Sequence, residues 1–360
     1  MKKLPSLDDL IDHFDIYAHP ADESLFVAGP PGSGKTSLAV HRAMFLARQG
    51  KRVVVVTRNR MLAAMARALG DDALTATTMH SHVTADFGRI PQRIAPYVYD
   101  WGWLEAAYAT RGIRPTLDHL IIDEGQNLPP GFFGWARRYG ARTLTVFADE
   151  DQAIDEQRSS LLDIMRAAGL GEPERLTENH RNTPEIAAVA EHFHDSRILP
   201  PALVQKGPGG ETPRLLRLAA TTELVQRVVT RYLNRRESIG VVVWSKADAR
   251  AFYAALRGAL PPEERVDVYT SDAEKGSEVG IRLLDSGITV LTGESVIGLE
   301  FDVVFLLDLR RSLPCRTLAD SRRMYMLCAR ARDALLLVDL PPYLDSDQVA
   351  ALPGPPILDR

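Results

Sequence analysis

The sequence predicts an α/β protein made of two consecutive domains, each built on a parallel sheet. Short runs of β-branched and aliphatic residues alternate with stretches of helical periodicity in the first half of the chain, and the alternation restarts after about residue 212. This alternation is typical of βαβ units, whose strands run parallel. At 360 residues and 45% apolar content, the chain is long enough to bury two such cores.

The predicted strands divide into two groups, and this division sets the predicted domains. The first group is 24–28, 52–57, 120–123 and 144–148, and the second is 214–218, 239–244, 288–292, 303–308 and 334–339. We therefore predict an N-terminal domain over 1–175 with a short insertion at about 85–117, a C-terminal domain over 176–345, and a proline-rich surface tail over 346–360.

Composition excludes several classes of protein. The formal net charge of −4 gives no global attraction to nucleic acid or to an anionic membrane, although a local basic strip would be enough for either. No signal-peptide pattern or membrane-length apolar run occurs, so we expect a cytoplasmic protein without a membrane partner. Cys315 and Cys328 are too few for a disulfide framework and are expected to be buried free thiols.

The segment Gly29-Pro30-Pro31-Gly32-Ser33-Gly34-Lys35-Thr36 fits the phosphate-binding pattern G-x-x-x-x-G-K-[ST]. It follows a predicted strand and opens a helix-like stretch, which is the context that this loop requires. Glycines let backbone N–H groups close around phosphate oxygens, Lys35 adds a positive charge, and Thr36 offers a hydroxyl to Mg²⁺. The predicted phosphate contacts are Gly29, Gly32, Ser33, Gly34, Lys35 and Thr36.

A pair of carboxylates follows the apolar strand Leu120-Ile121-Ile122. Asp123 and Glu124 therefore lie at the carboxyl edge of a parallel sheet, where open α/β folds bind ligands. Asp123 is predicted to hold Mg²⁺, and Glu124 is predicted to orient and deprotonate the water that attacks the γ-phosphate.

Two glutamines follow neighbouring predicted strands, and their role stays open at this point. Gln126 lies in Asp-Glu-Gly-Gln, and Gln152 lies just past the strand that ends at Ala148. Either side chain can sense a γ-phosphate, or it can cap a turn or face water.

Arginines in the second half of the chain could meet the charge of a phosphoryl-transfer transition state. Arg181 and Arg330 are candidates, and their position in a second domain would link hydrolysis to domain closure. Spacing alone does not single them out, because most arginines of any chain are solvated.

The ordered motifs resemble those of superfamily 1 helicases of the UvrD, Rep and PcrA type, from about Leu25 to Val338. The phosphate-binding loop at 29–36, here called the P-loop, is similar to motif I of that family, and residues 57–59 with 63–65 are similar to motif Ia. Residues 78–81 are similar to the Thr-Phe-His-Ser segment, residues 123–126 to motif II, and residues 149–154 to motif III. In the second half of the chain, residues 179–181 are similar to motif IV, residues 292–302 to motif V, and residues 325–332 to motif VI. The order of the series makes the resemblance specific, since a single motif would be weak.

The resemblance implies two tandem RecA-like domains with ATP and Mg²⁺ bound in the cleft between them. It implies that Gln126 and Gln152 couple the γ-phosphate to the strand-binding surface, and that Arg181 and Arg330 are transition-state arginines. His180 would stack on the base, and Gly298 and Glu300 would contact the γ-phosphate and ribose. The implied nucleic-acid contacts are Thr57, Asn59, His80 and Arg158.

The departures from the family pattern concern strand binding more than hydrolysis. The base-stacking aromatics after motif III are replaced by Asp155 and Gln157, and a histidine and a lysine of motif V are replaced by Glu294 and Ile297. A carboxylate near a phosphate backbone repels it.

The insertion carries an aromatic cluster that has two possible roles. It could be a base-stacking platform, but the core of a small helical subdomain is favoured, because the aromatics lack interleaved lysine or arginine. The cluster comprises Tyr97, Tyr99, Trp101, Trp103 and Tyr108.

Two functions remain at this point. The first is a minimal ATP-dependent translocase or helicase that acts on single-stranded DNA, or on RNA. The second is a regulatory ATPase subunit of a repair, conjugation or defence assembly, which has lost helicase activity and is controlled by a protein partner. A small-molecule P-loop kinase is disfavoured, because it has no use for two arginines from a second RecA-like unit.

Overall fold

A computed structural model describes residues 13–58, 60–69, 74–90, 99–149, 159–194, 201–270 and 285–360. The chain divides into two compact units, one that ends at Thr177 and one that runs from Glu178 to Arg360. Each unit is built around a parallel sheet, so the predicted α/β class is confirmed.

The described N-terminal unit contains a six-stranded parallel sheet with the strand order β3-β2-β4-β5-β1-β6. Its strands are β1 (Leu25–Ala28), β2 (Val53–Thr57), β3 (Ala76–Thr78), β4 (Leu117–Ile122), β5 (Ala141–Ala148) and β6 (Glu174–Arg175). Because β4, β5 and β1 are neighbours and all run the same way, the segments that follow them meet at one edge of the sheet.

Helices cover both faces of this sheet, and each face has its own apolar core. The helices are α1 (Phe14–Tyr17), α2 (Lys35–Arg48), α3 (Arg60–Leu69), α4 (Met79–Asp86), α5 (Trp101–Thr110), α6 (Pro130–Trp135) and α7 (Leu161–Ala168). Val27 and Leu38 belong to the core under α2, whereas Phe26 and Trp135 belong to the core under α6. The strands have apolar residues on both faces because both faces are covered.

The predicted insertion contains α5, and its aromatics mostly pack inward. Tyr108 is fully buried and donates a 2.6 Å hydrogen bond to Asp86. Trp101 packs edge-on against Phe132, with 6.1 Å between the ring centroids. Trp103 is exposed. These contacts support the subdomain-core interpretation for Tyr108 and Trp101.

Tyr99 in the same insertion stacks on a neighbouring histidine, and Tyr97 lies outside the described residues. The insertion therefore packs as part of the N-terminal unit.

The C-terminal unit has a second parallel sheet, which contains six strands within the described ranges in the order β11-β12-β10-β13-β14-β9. A separate parallel pair joins β7 to β8. The elements in chain order are β7 (Glu178–Asn179), α8 (Pro184–Glu191), β8 (Leu203–Val204), β9 (Arg214–Arg217), α9 (Thr221–Arg235), β10 (Ser238–Val243), α10 (Lys246–Ala259), β11 (Val266–Tyr269), β12 (Gly287–Thr292), β13 (Phe301–Leu306), α11 (Leu318–Cys328), β14 (Ala331–Asp339) and α12 (Ser346–Ala350).

The segment 346–360, predicted as a surface tail, packs on the C-terminal unit instead. It begins with α12, and its leucines Leu352 and Leu358 are buried. The Leu215 N–H donates to the Asp359 carbonyl at 2.7 Å, so the segment also lies beside β9. The proline count suggested an exposed tail, but burial of two leucines stabilises a docked one.

The two cysteines differ in burial. Cys328 is fully buried as expected, whereas Cys315 is only partly buried, and burial raises its pKa to about 11. Among the described helices, none combines the length and the apolar character needed to cross a membrane.

A buried polar network lies beneath α2. Arg42 is fully buried and donates from Nε to Thr145 Oγ1 at 2.7 Å, and from Nη1 to the His19 carbonyl at 2.8 Å. Nη1 also lies 3.4 Å from the carbonyls of Ile16 and Tyr17, and Nη2 donates to the Pro20 carbonyl at 3.3 Å, so Arg42 holds the segment that leads into β1.

His119 completes this network as a neutral ring. Its Nε2 lies 2.7 Å from Thr145 Oγ1, and its Nδ1 lies 2.7 Å from Thr143 Oγ1. The Thr143 hydroxyl donates to the Asp118 carbonyl at 2.9 Å, so Nδ1 carries the proton of the neutral ring, and Nε2 accepts from the Thr145 hydroxyl. Burial and the neighbouring Arg42 charge lower the pKa of His119 to about 3.

We expect the N-terminal unit to lose stability as the pH falls below the ordinary histidine pKa. Between pH 6.5 and about 3 the unfolded chain binds a proton that the folded ring excludes, so the free energy of unfolding falls with falling pH. The slope from this one group is about 1.4 kcal/mol per pH unit. His119→Gln keeps both hydrogen bonds without titrating and should remove that slope between pH 6.5 and 5.

The measurement is urea unfolding followed by tryptophan fluorescence, since Trp101, Trp103 and Trp135 lie in this unit. The exposed His192 provides a control, and His192→Gln should leave the slope unchanged. An unchanged slope in His119→Gln would contradict a neutral buried ring.

Candidate active site

The loop between β1 and α2 has the backbone that the phosphate-binding pattern predicts. Gly32 and Gly34 have φ angles of 81° and 82°, in the left-handed region that favours glycine. Gly29 is close to the adjacent chain, because a Cβ there would lie 2.7 Å from the Leu176 Cβ. The Ser33 hydroxyl donates to the Pro30 carbonyl at 2.9 Å, which tightens the turn. The loop therefore presents its backbone N–H groups at the start of a long helix.

Lys35 is the first residue of α2, and its ammonium lies inside the loop. Its Nζ donates to the carbonyls of Gly29 at 2.6 Å and Pro30 at 2.8 Å, and it lies 3.5 Å from Asp149 Oδ2. The side chain is only 7% exposed, so these contacts compensate a buried charge. A phosphate group can take over from the neutral carbonyls, because a charged acceptor forms the stronger hydrogen bond with an ammonium.

Asp123 and Thr36 together form a set of hard oxygen ligands. The Thr36 hydroxyl donates to Asp123 Oδ2 at 2.8 Å. Burial and the adjacent Glu124 carboxylate raise the pKa of Asp123. A hydroxyl and a carboxylate that already touch are the donor types that Mg²⁺ prefers, so these two residues fit the predicted metal.

Glu124 is held in an unusual backbone conformation beside this pair. Its φ angle is 57°, which is rare for a residue with a side chain. Its carboxylate accepts from Gln126 Nε2 at 2.6 Å and from Asn127 Nδ2 at 3.2 Å, both on Oε2. Two amide donors on one oxygen fix the direction of the carboxylate.

Gln126 connects the end of β4 to the end of β5. While its Nε2 donates to Glu124, its Oε1 accepts from the Asp149 N–H at 3.0 Å. The side chain is fully buried, so it does not face water, and its two hydrogen bonds go to Glu124 and to Asp149. The structure thus assigns Gln126 a link between two neighbouring strand ends.

In the N-terminal unit, two site residues were missed in the sequence analysis. Asp149 follows β5 directly, is buried and lies beside Lys35. The signal that identified Asp123, a carboxylate directly after a buried strand, could have found it. Asn127 was also missed, and a lone asparagine after a glutamine carries no comparable signal.

Several predicted residues gather in the C-terminal unit, where β13 and β14 begin. Arg181 Nε donates to Glu300 Oε2 at 2.6 Å, and Arg332 Nη1 approaches Glu300 Oε1 at 3.3 Å. Burial raises the pKa of Glu300, but Arg181 and Arg332 outweigh it and hold the pKa below its ordinary value. Glu300 is therefore a carboxylate shared by two arginines, of which Arg332 was not predicted to act.

Asparagines hold the loop that carries Arg181. The Arg181 N–H donates to Asn179 Oδ1 at 3.0 Å, and Asn179 Nδ2 donates to Asn182 Oδ1 at 2.8 Å. Asn182 in turn donates to the carbonyls of Ala329 and Ala331. This connects the predicted motif IV to the predicted motif VI.

Arg330, His180 and Gly298 lie near this cluster but in different environments. Arg330 is 1% exposed and donates to the Met326 carbonyl at 2.9 Å and to the Leu299 carbonyl at 3.4 Å. His180 is exposed, and its Nε2 lies 2.9 Å from Glu178 Oε2. Gly298 has a φ angle of 78°, so the turn before Glu300 favours glycine.

The residues predicted to contact nucleic acid are only partly described. Thr57 ends β2 and is fully buried, so its hydroxyl is not exposed to a ligand in this structure. His80 is half-buried, its Nδ1 lies 2.9 Å from the Tyr99 hydroxyl, and the two rings stack. Asn59 and Arg158, together with the catalytic candidate Gln152, lie outside the described residues.

The two residues that depart from the family pattern in the predicted motif V, Glu294 and Ile297, lie in different environments. Ile297 is buried. Glu294 follows β12 and is half-exposed, and its Oε1 lies 2.6 Å from Arg311 Nη1 and 3.6 Å from Arg323 Nη2. Its carboxylate thus compensates arginine charge at the carboxyl edge of the C-terminal sheet.

Comparisons with known proteins support part of this interpretation. Residues 17–158, less than half of the chain, match the family model of an AAA domain. The match spans the phosphate-binding loop and the Asp123–Glu124 pair. No curated protein matches the sequence.

Three solved structures are distantly similar to the chain. The C-terminal domain of a possible DNA helicase from Lactobacillus plantarum WCFS1 has 18% identity and a TM-score of 0.36, over 50% of this chain and 97% of its own. The PRRSV helicase has 17% identity and a TM-score of 0.40, over 90% of this chain and 54% of its own. An arterivirus nonstructural protein 10 (helicase) has 15% identity and a TM-score of 0.44, over 94% and 64%. This chain therefore covers less than two thirds of either viral protein.

We expect Lys35 and Glu124 to affect different steps. Lys35→Ala removes the charge inside the loop and should weaken nucleotide binding at least tenfold. Glu124→Gln keeps an acceptor for Gln126 and Asn127, so its affinity should stay within about threefold while hydrolysis falls by about 100-fold or more. Titration with a fluorescent ATP analogue and a phosphate-release assay separate the two.

The control is Lys51→Ala, because Lys51 is exposed just beyond α2. It should change neither quantity. An equal loss of affinity in Lys35→Ala and Glu124→Gln would refute this division of roles.

Proposed function

We propose that this protein is an ATP-driven motor of superfamily 1 helicase type, minimal in build, which acts on single-stranded DNA. The observation that carries the proposal is the cluster at the edge of the N-terminal sheet. There the phosphate loop, the Thr36–Asp123 pair and the oriented Glu124 lie close together. The AAA match over residues 17–158 supports the nucleotide-binding half of this proposal.

In this proposal each residue of the N-terminal unit has a defined task. The loop N–H groups and Lys35 hold the β- and γ-phosphates, and Thr36 and Asp123 hold Mg²⁺, which neutralises developing phosphate charge. Glu124 orients the attacking water and accepts its proton on the carboxylate. The hydrogen bonds from Gln126 and Asn127 to Oε2 leave Oε1 as the oxygen that takes that proton.

The C-terminal unit is proposed to supply the positive charge of the transition state. Arg181 and Arg330 carry permanently charged guanidinium groups, which suit phosphate oxygens. Arg330 is buried on the carbonyls of Met326 and Leu299 in this structure, so it would exchange these acceptors for phosphate oxygens. Gly298 and Glu300 are proposed to contact the γ-phosphate and ribose, and His180 to stack on the base. Because these residues come from the second unit, two RecA-like domains would close on the nucleotide, and hydrolysis would be linked to their movement.

Steady-state ATP hydrolysis with and without single-stranded DNA tests this proposal. We expect the strand to raise turnover at low salt, because phosphate contacts weaken as salt rises. Glu124→Gln serves as the blank, and an RNA strand of the same length distinguishes the nucleic acids. If neither strand raises hydrolysis at low salt, the motor proposal fails.

A second candidate is a regulatory ATPase that a protein partner controls. Glu294 supports it, since this carboxylate already pairs with Arg311 and lies near Arg323. Arginines compensated within the chain attract a phosphate backbone less strongly. Tight strand binding by the isolated protein, lost in His80→Ala, would count against this candidate.

Arg330 gives a further test of the two-unit site. Arg330→Ala should lower kcat by about 10³-fold and leave nucleotide affinity within a few-fold, because a transition-state arginine acts on charge that forms during transfer. Arg330 is buried, so circular dichroism must show that the variant is folded. A folded variant with unchanged kcat would refute the role.

A further inference from the structure

Glu300 has more positive charge around it than a single ion pair requires. Arg181 Nε lies 2.6 Å from one carboxylate oxygen, and Arg332 Nη1 lies 3.3 Å from the other. The side chains are 15% exposed for Arg181 and 29% for both Glu300 and Arg332, so all three are largely removed from water. In such a place, a carboxylate that loses its partner is costly.

The backbone explains how the three residues meet. Glu300 directly precedes β13, and Phe301 pairs with Ala331 at the start of β14. Arg332 is therefore next to a residue that is in register with β13. The Arg181 N–H donates to Asn179, and the Arg181 side chain contacts Glu300 Oε2, whereas Arg332 contacts Oε1.

Arg332 has donor capacity that the cluster does not use. Its Nε is buried and has no hydrogen-bond partner among the residues that the structure describes. Its contact with Glu300 is longer than the contact that Arg181 makes. A small shift of the Glu300 carboxylate toward Arg332 would shorten that contact as Arg181 leaves.

We propose that Arg332 is a standby counter-ion, a positioning residue that keeps the Glu300 carboxylate compensated when Arg181 leaves it for the phosphate of a bound nucleotide. This inference rests on the proposed function of Arg181. Without Arg332, departure of Arg181 would leave the largely buried Glu300 carboxylate without a counter-charge, so Arg181 would stay paired with Glu300. Arg332 touches no reacting atom and acts only through Glu300.

The first test is hydrolysis at saturating ATP. Arg332→Ala should lower kcat by about tenfold with little change in KM, because the delayed step is the release of Arg181 and not nucleotide binding. Arg332→Lys keeps the charge and should retain most of the turnover. Arg227→Ala is the control, because Arg227 forms an exposed ion pair in the same unit. Unchanged kcat in Arg332→Ala would overturn the proposal.

A second substitution distinguishes standby compensation from simple structural support. Glu300→Gln removes the charge that needs compensation, so the double variant Arg332→Ala with Glu300→Gln should have a higher kcat than Arg332→Ala alone. If Glu300→Gln also weakens the proposed contact with the ribose, KM rises. Measurement of kcat at saturating ATP keeps this effect out of the comparison. If the double variant is slower than Arg332→Ala, Arg332 is only a structural support.

Urea unfolding tests the same inference without catalysis. Arg181→Ala and Arg332→Ala should each lower stability slightly, since the remaining arginine still compensates Glu300. The double variant should lose clearly more than the sum of the two. If the losses add, the standby role is wrong. If the wild type fails to hydrolyse ATP, the proposed function fails, and this cycle still decides whether the two arginines share Glu300.

Discussion

The parallel alignment of β4, β5 and β1 is the constraint on which the candidate site depends. Parallel neighbours end at the same edge, so the phosphate loop, the Asp123–Glu124 pair and Asp149 meet although they are far apart in the chain. Gln126 then connects the second segment to the third. The geometry of Glu124 thereby depends on where β5 ends, and the strained φ angle of Glu124 is held by this surrounding structure.

In both units, positively charged side chains of the candidate site are compensated by acceptors of the same unit. In the N-terminal unit, Lys35 is surrounded by loop carbonyls and Asp149. In the C-terminal unit, Arg181 and Arg332 share Glu300. Groups that we propose to meet a triphosphate are thus paired within the protein itself. Such pairing lowers the cost of burying a charge, and a phosphate must compete with it.

Local pattern predicted some parts of the structure better than others. The run 52–57 became β2 and the run 239–244 became β10, because buried parallel strands are continuous apolar runs. The segment 346–360 differed from its prediction. Its prolines indicated an exposed tail, but two of its leucines are buried against the C-terminal unit. The aromatics of the insertion divided into buried and exposed members, because burial depends on which helix face meets α6.

The sequence by itself determined the α/β class, the phosphate loop and the carboxylates at Asp123 and Glu124, because each depends on the order of residues within one short segment. Only the tertiary structure decided that Gln126 bridges two strand ends and that Arg332 joins Arg181 at Glu300. It also decided that the Thr57 side chain is buried. These outcomes depend on which distant segments become neighbours, and sheet order and packing set that neighbourhood.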